Sequence, residues 1–527
     1  MTGEPTQAAV VIGGGIAGLA TAALLAREGY DVDLVEQRDE LGGRIGSWER
    51  DGFRFDTGPS WYLMPEVFEH FFSLFGTSAA EQLDLQVLDP GYRVFFEDVE
   101  DPVDIRADRA ANIETFERIE RGAGGRLRQY LSSADDAYDI AMRRFLYSNF
   151  DSMSGQLRWD VVVRTPRLLR LLTQDLEGFV ADRFEDRRLT QILGYPAVFL
   201  GTSPDRAPSM YHLMSRLDLS DGVLYPAGGF VRLVHALVDL ARGAGARLHT
   251  GTTVTGVTTD RRPGRRTRAT VTGVRYRDAQ GREGAIPADV VVGAADLHHL
   301  ETELLPERQQ SYPEKYWEDR DPGPGAVLAC LGVDGKVPQL SHHTLFFTSD
   351  WRQNFDAIFG DRPEVPVPAS VYVCKPSETD PTVAPAGSEN LFVLVPVPAD
   401  VSLGRGGIDG AGDAAVEKVA DAAIDQVAAW AGVDDLHNRI VVRRTWGPAD
   451  FAENLNAWSG GALGPAHTMR QSAFLRTGNV SKKVDGLYYA GASTVPGIGL
   501  PMCLISAELV LKRLRGDKSS EPLDESA

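Results

Sequence analysis

Apolar residues first run together at Ala8–Ile12 (AAVVI), the composition of a strand buried on both faces of a parallel sheet. A helical spacing follows, with Leu19, Ala23 and Leu24 on one side and Gly29 at its end. A second strand, Asp31–Val35, finishes at Glu36. The alternation resumes far downstream. Val231, Val234, Leu237 and Leu240 mark a helix that stops at Gly243, strand-like stretches cover 247–258 and 269–277, and the run 288–295 (ADVVVGAA) reads as another buried strand ending at Asp296. Strand-helix-strand alternation predicts an α/β domain built on a parallel sheet. Two long insertions interrupt it. Residues 111–224 read as largely helical, and 301–445 contain the strand patterns SVYVCK (370–375) and NLFVLVPVP (390–398), separated by the turn-rich PSETDPTVAPAGSE.

Near the C-terminus, 22 residues from Gly486 to Ala507 carry no charge. That length can cross a bilayer as a helix. The four glycines and two prolines argue against it, because Pro496, Gly497, Gly499 and Pro501 fall where a helix would break. The run divides instead into a short strand from Leu487 to Ala490, a glycine-rich loop from Gly491 to Gly499, and a helix opened by Pro501 and continuing to about Arg515. Met502, Ile505, Leu509 and Leu514 are its candidate buried positions. Strand, glycine loop and helix N-terminus together present unpaired N–H groups to an anion or carbonyl, so the run reads as one wall of a cofactor site.

The chain has 527 residues, enough for two or three domains or subdomains, with 43% apolar and 24% charged residues. A net charge of −20 disfavours general nucleic-acid binding. Cys330, Cys374 and Cys503 stand far apart, without dithiol or metal spacing, and read as reduced core thiols of a cytoplasmic protein. The N-terminal MTGEPTQAAV has no secretory pattern. GDKSSEPLDESA (516–527) reads as a disordered tail. The pairs His298-His299 and His342-His343 invite a metal reading, but no carboxylate or cysteine cluster is visible beside them, and no metal is expected.

Gly13, Gly15 and Gly18 fit G-x-G-x-x-G between a strand and a helix, and Glu36 follows Gly13 by 23 residues, the spacing of an acid that holds a ribose hydroxyl. The sequence therefore predicts a Rossmann-like dinucleotide site. No intact nicotinamide fingerprint recurs, so a single dinucleotide is expected. After Glu36 the chain reads QRDELGGR, which resembles the second glycine signature of the FAD family of amine oxidases, protoporphyrinogen oxidases and carotenoid desaturases. Gly42 and Gly43 let backbone approach a diphosphate, and Arg44 offers it planar donors.

Over nearly its whole length the chain resembles bacterial-type phytoene desaturases. The likeness is strongest at VVIGGGIAGLATAALLAREGYDVDLVEQRDELGGR, FDTGPSWYLMP (55–65), YPAGGF (225–230), LNAW (455–458) and LYYAGASTVPGIGLP. It implies FAD as sole redox cofactor, a C40 isoprenoid substrate, and peripheral attachment to a membrane. The candidate cofactor contacts are Gly13, Gly15, Ile16, Ala17, Gly18, Glu36, Gln37, Gly43, Arg44, Gly58, Pro59, Ser60, Val254, Ala295, Gly491, Ala492, Gly497, Ile498 and Gly499. There are two departures. Ala492 stands where many related flavoproteins carry an acid for the ribityl chain, and Met502 where a small residue is common. The expected architecture is a Rossmann-like FAD domain in three segments (1–110, 225–300, 446–515) with a helical insertion (111–224) and a sheet-bearing substrate region (301–445).

Six arginines against Asp151 and Asp160 lie between Arg143 and Arg170, and VVVRTPRLLRLL (161–172) mixes arginine with valine and leucine. Such a stretch can rest in a membrane interface or pack as an amphipathic helix on its own domain. Asp160 and Arg164 are the candidate acid–base or charge residues. Desaturation beside a polyene removes a hydride and a proton, and the conjugated cation demands little of a base, so the site mainly has to exclude water and align a C–H bond. Other readings are a different carotenoid desaturase or isomerase, an amine or porphyrinogen oxidase of the same fold, and a non-catalytic isoprenoid-lipid escort. The intact Glu36, Gly43 and Arg44 set argues against the escort.

Overall fold

The computed structural model describes residues 6–149, 170–260, 268–433 and 435–525. Ala8–Ile12 is the middle strand of a five-stranded parallel sheet in the order 487–489, 290–293, 8–12, 31–35, 247–249. Val10 and Val11 are fully buried, as the unbroken apolar run requires of a strand covered on both faces. The helix Ile16–Arg27 packs between Leu500–Arg515 and Val231–Gly243. It starts close against the sheet. A Cβ at Gly18 would sit 1.9 Å from the Gly13 carbonyl oxygen, so only glycine fits there. Gly18→Ala is expected to push this helix from the sheet and lower the melting temperature of the protein.

A second, seven-stranded mixed sheet runs in the order 440–446, 325–333, 389–397, 371–374, 343–347, 92–96, 103–105. The two strands expected in the 301–445 insertion are here, as Val371–Cys374 and Glu389–Val397. Two more strands join from the segment grouped with the first dinucleotide half. Tyr92–Phe96 pairs in parallel with His343–Phe347, and Val103–Ile105 closes the edge. Period-2 alternation sends one side of this sheet outward, where Phe346, Val393 and Val395 meet the helix Ala414–Ala431. The other side, with Leu345, Phe347, Phe392 and Leu394, faces a cavity below. Helical segments of 123–146 and 187–221 close that cavity laterally.

Residues 516–525, expected to trail as a disordered tail, fold back. Leu523 is buried and its N–H donates to Glu508 Oε2 at 3.1 Å. The reason is Lys512, a fully buried cation on the last helix. Its Nζ donates to the carbonyls of Tyr147, Ser519 and Glu521 at 2.9, 2.8 and 2.7 Å, and the tail supplies two of these acceptors.

Candidate cofactor and substrate cavity

A cavity of about 730 Å³ runs from the glycine turn at the head of the parallel sheet to the underside of the second sheet. At its dinucleotide end, Gly13 N–H is held by Val35 O (2.9 Å) and Gly42 N–H by Gly14 O (2.8 Å), which brings the two glycine signatures side by side. A Cβ at Gly43 would lie 3.0 Å from Gly15 Cα. Glu36 closes the turn, with Oε2 accepting from Gly14 N–H at 2.7 Å and Oε1 from Arg38 N–H at 2.9 Å. Arg44 is anchored through Nε to Ala462 O (3.0 Å), while its Nη2 is buried without a partner among the described residues. An orphan guanidinium nitrogen beside two glycines fits an anionic diphosphate. LNAW joins this end, since Asn456 Nδ2 donates to Gln37 Oε1 at 3.1 Å.

Most of the sequence candidates share this one surface. Gly13, Gly15, Ile16, Ala17, Glu36, Gln37, Gly43, Arg44, the stretch Gly58–Ser60, Val254, Ala295, Gly491, Ala492, Ile498 and Gly499 all line it. Gly18 and Gly497 stand one layer behind. Asp160 and Arg164 lie outside the described residues.

The strand Leu487–Tyr489 delivers the loop Gly491–Gly499 to the cavity, and the helix Leu500–Arg515 begins with Gly499 as its cap. Gly497 has φ +139° and Gly499 φ +126°, backbone that favours glycine. Three residues absent from the sequence candidates hold this loop. His467 Nε2 accepts from Ile498 N–H at 3.2 Å, and its Nδ1 pairs with Tyr211 Oη at 2.6 Å. Burial and then neighbouring Arg476 keep the imidazole neutral, with its pKa well below the usual value. Arg476 itself is buried and bonds the loop carbonyls.

The remaining wall is apolar and aromatic. Trp61 stacks on His343 (ring centroids 4.7 Å) and meets Phe199 edge-on (5.1 Å), while Phe347 and Trp351 pack at 4.7 Å. Ser60 Oγ and Tyr372 Oη pair at 2.6 Å, and Tyr372 Oη also lies 2.8 Å from His343 Nδ1. Such a lining suits a long hydrocarbon better than a polar ligand.

Behind this wall the sheet register sets Cys374 opposite His343, so His342, His343 and Cys374 do come together, with ligand atoms within 4.8 Å. The absence of a cysteine beside the histidines, read from the sequence, was a register effect. The cluster is a poor cation site. Burial and then the buried Lys375 ammonium push His342 down to about 3, and the same ammonium opposes a second cation. All three cysteines are unpaired, Cys330 and Cys374 buried and Cys503 half-buried.

The model of the flavin-containing amine oxidoreductases matches residues 16–510. The chain belongs to this family. Carotenoid desaturases are among its relatives. The chain is 42% identical to the carotenoid 3,4-desaturase of Haloarcula japonica, over 96% of this chain and 98% of the relative. It is 35% identical to the zeta-carotene-forming phytoene desaturase of Myxococcus xanthus, over 96% and 93%. Among solved structures, an oxidoreductase from Methanosarcina mazei shares the fold, with a TM-score of 0.62 at 15% identity over 96% of this chain and all of that one. The protein is an FAD-dependent oxidoreductase of the carotenoid desaturase type. Among the described residues, no helix of this flavoenzyme is long and apolar enough to cross a membrane.

Proposed function

We propose that the protein desaturates an acyclic C40 carotenoid precursor, one C–C bond at a time, at the junction of the two ends of its cavity. The observation that carries this reading is the continuity of the dinucleotide turn with a largely apolar, aromatic-walled chamber under the second sheet. In this reading Glu36 holds the adenosine ribose, Gly43 and Arg44 the diphosphate, and the loop Gly491–Gly499 lies along the flavin ring. Bound FAD would supply a two-electron hydride acceptor, and loss of a proton from the adjacent carbon would leave its electron pair as the new double bond. The chain's own part is to align the C–H bond, keep water out and stabilise charge. Asp160 and Arg164 remain the candidates for handling the proton or charge.

Phytoene, converted toward lycopene, is one substrate assignment. The 42% identity to a carotenoid 3,4-desaturase, against 35% to a phytoene desaturase, favours a later bond near the chain end. Incubating the yellow protein with phytoene or with lycopene in liposomes, and resolving the pigments, separates the two. New double bonds only from lycopene assign the later step. Turnover of phytoene assigns the earlier one. No new double bond in either, with FAD bound, would sink desaturation itself.

The substrate dissolves in lipid, and two features support a membrane-facing mouth. Phe474 lines the cavity yet is 65% exposed, with Leu475 beside it 48% exposed. The second is the arginine-rich stretch 143–172. The protein is expected to pellet with anionic liposomes, less so as salt rises. Replacing Arg164, Arg167 and Arg170 by Glu should release it, and undiminished pelleting would remove this stretch from the interface.

A further inference from the structure

Arg476 is buried, 7% exposed, and spends its donors on carbonyls. Nη2 donates to Ala492 O (2.5 Å) and Pro465 O (3.0 Å), Nε to Thr494 O (3.2 Å) and Nη1 to Gln471 O (3.3 Å). Among the described residues no carboxylate pairs with it; the charged or titratable neighbours facing it are His467, Tyr211 and Tyr316. Desolvation lowers its pKa to about 10, with Tyr211 and Tyr316 opposing that shift, so it stays charged at neutral pH. An isolated buried charge is costly to keep, and a glutamine or methionine would fill much of the same space without that cost. The carbonyls of Ala492 and Thr494 place the charge directly behind the loop whose Ala492, Ser493 and Val495 face the cavity.

We propose that Arg476 is a redox-tuning residue, its unneutralised guanidinium stabilising the negative charge that the flavin carries once reduced. The inference rests on the flavin ring lying along the Gly491–Gly499 loop. Its physics is that of a fixed cation in a dry, low-dielectric site, where charge acts strongly and needs no reorganisation when the electrons arrive. The guanidinium stands one layer behind the cavity lining, so it acts through the field and through the loop it fastens.

The test is potentiometry on the holoenzyme. Arg476→Met should lower the equilibrium constant for two-electron reduction at least tenfold, about 30 mV in midpoint potential, and weaken sulfite addition at flavin N5 by a similar factor. Arg476→Lys supplies a second readout that survives poor folding of the methionine variant. A buried lysine titrates at reduced pH, so this variant should match wild type near pH 6 and fall progressively below it as the ammonium deprotonates toward pH 9. Ile498→Tyr, placed on the cavity wall, reports the ring's location by perturbing the flavin absorption spectrum. An unchanged potential and sulfite affinity in Arg476→Met, or a pH-independent difference in Arg476→Lys, overturns the tuning role. If Ile498→Tyr also leaves the flavin spectrum untouched, the ring is elsewhere and both readings fall; a perturbed spectrum confines the failure to Arg476.

Discussion

Gly497→Ala is expected to slow desaturation on the order of a hundredfold while leaving a folded chain. Both glycines of this loop, Gly497 and Gly499, have positive φ, but Gly497 is the more tightly enclosed. Gly497 has φ +139°, and a Cβ there would lie 2.2 Å from His467 Cε1 and 2.3 Å from His467 Nε2. At Gly499 the new atom would meet nothing nearer than Met502 Cγ at 3.5 Å, so only φ +126° opposes it. His467 cannot yield easily, because Tyr211 fixes one ring nitrogen and Ile498 N–H the other. The loop must therefore move. Overpacking of this kind typically costs about 1–3 kcal/mol. The protein as a whole can absorb that, but a displacement of the cavity wall toward the flavin is worth on the order of a hundredfold in rate. Product formed per bound flavin measures it. The double variant Gly497→Ala/His467→Ala should recover part of the loss, since the clash disappears with the ring. A yellow Gly497→Ala protein turning over at the wild-type rate would show that the loop has slack and does not position the reaction.

The residues differ in how plainly they announced this site. Ala8–Ile12 and Asp31–Val35 were legible to the residue, because a strand buried on both faces must be apolar throughout and its ends are marked by polar or glycine positions. The loop Gly491–Gly499 was legible because glycine and proline in such density exclude regular structure. What the sequence hid was contact between remote segments. Tyr211 and His467 are 256 positions apart and meet only through the fold. His467 and Arg476 sit in GPAHTMRQSAFLRTG, a stretch without periodicity or motif, so nothing local marks them. His343 and Cys374 lie opposite each other because of strand register, which alternation constrains by face but not by partner. Tyr92–Phe96 alternates well enough to be a strand. Its parallel pairing with His343–Phe347, more than two hundred residues on, moved it from the dinucleotide half to the substrate sheet.

Glu36→Ala should strip FAD from the enzyme more thoroughly than loss of a ribose contact alone. The carboxylate is 7% exposed and already accepts two backbone N–H groups, from Gly14 inside the glycine turn and from Arg38 just past the strand. Ribose hydroxyls would use its remaining lone pairs. Alanine removes all of these acceptors together, leaving the Gly14 and Arg38 N–H groups to find water in a tight turn. Stranding buried polar groups costs about 1–3 kcal/mol, equivalent to roughly five- to 150-fold in affinity. A contribution through the turn and one through the ribose can be told apart. Glu36→Gln keeps one carbonyl acceptor but sets an amide donor against an N–H group or a hydroxyl, and should fall between wild type and alanine. Replacing FAD by a 2′-deoxyadenosine analogue should weaken binding to wild type and change little in Glu36→Ala, because the alanine variant has no ribose contact left to lose. Flavin titration into deflavinated protein reads each constant. If Glu36→Ala binds FAD as tightly as wild type, neither the turn nor the ribose depends on this carboxylate, and the dinucleotide end of the cavity has been assigned to the wrong residue.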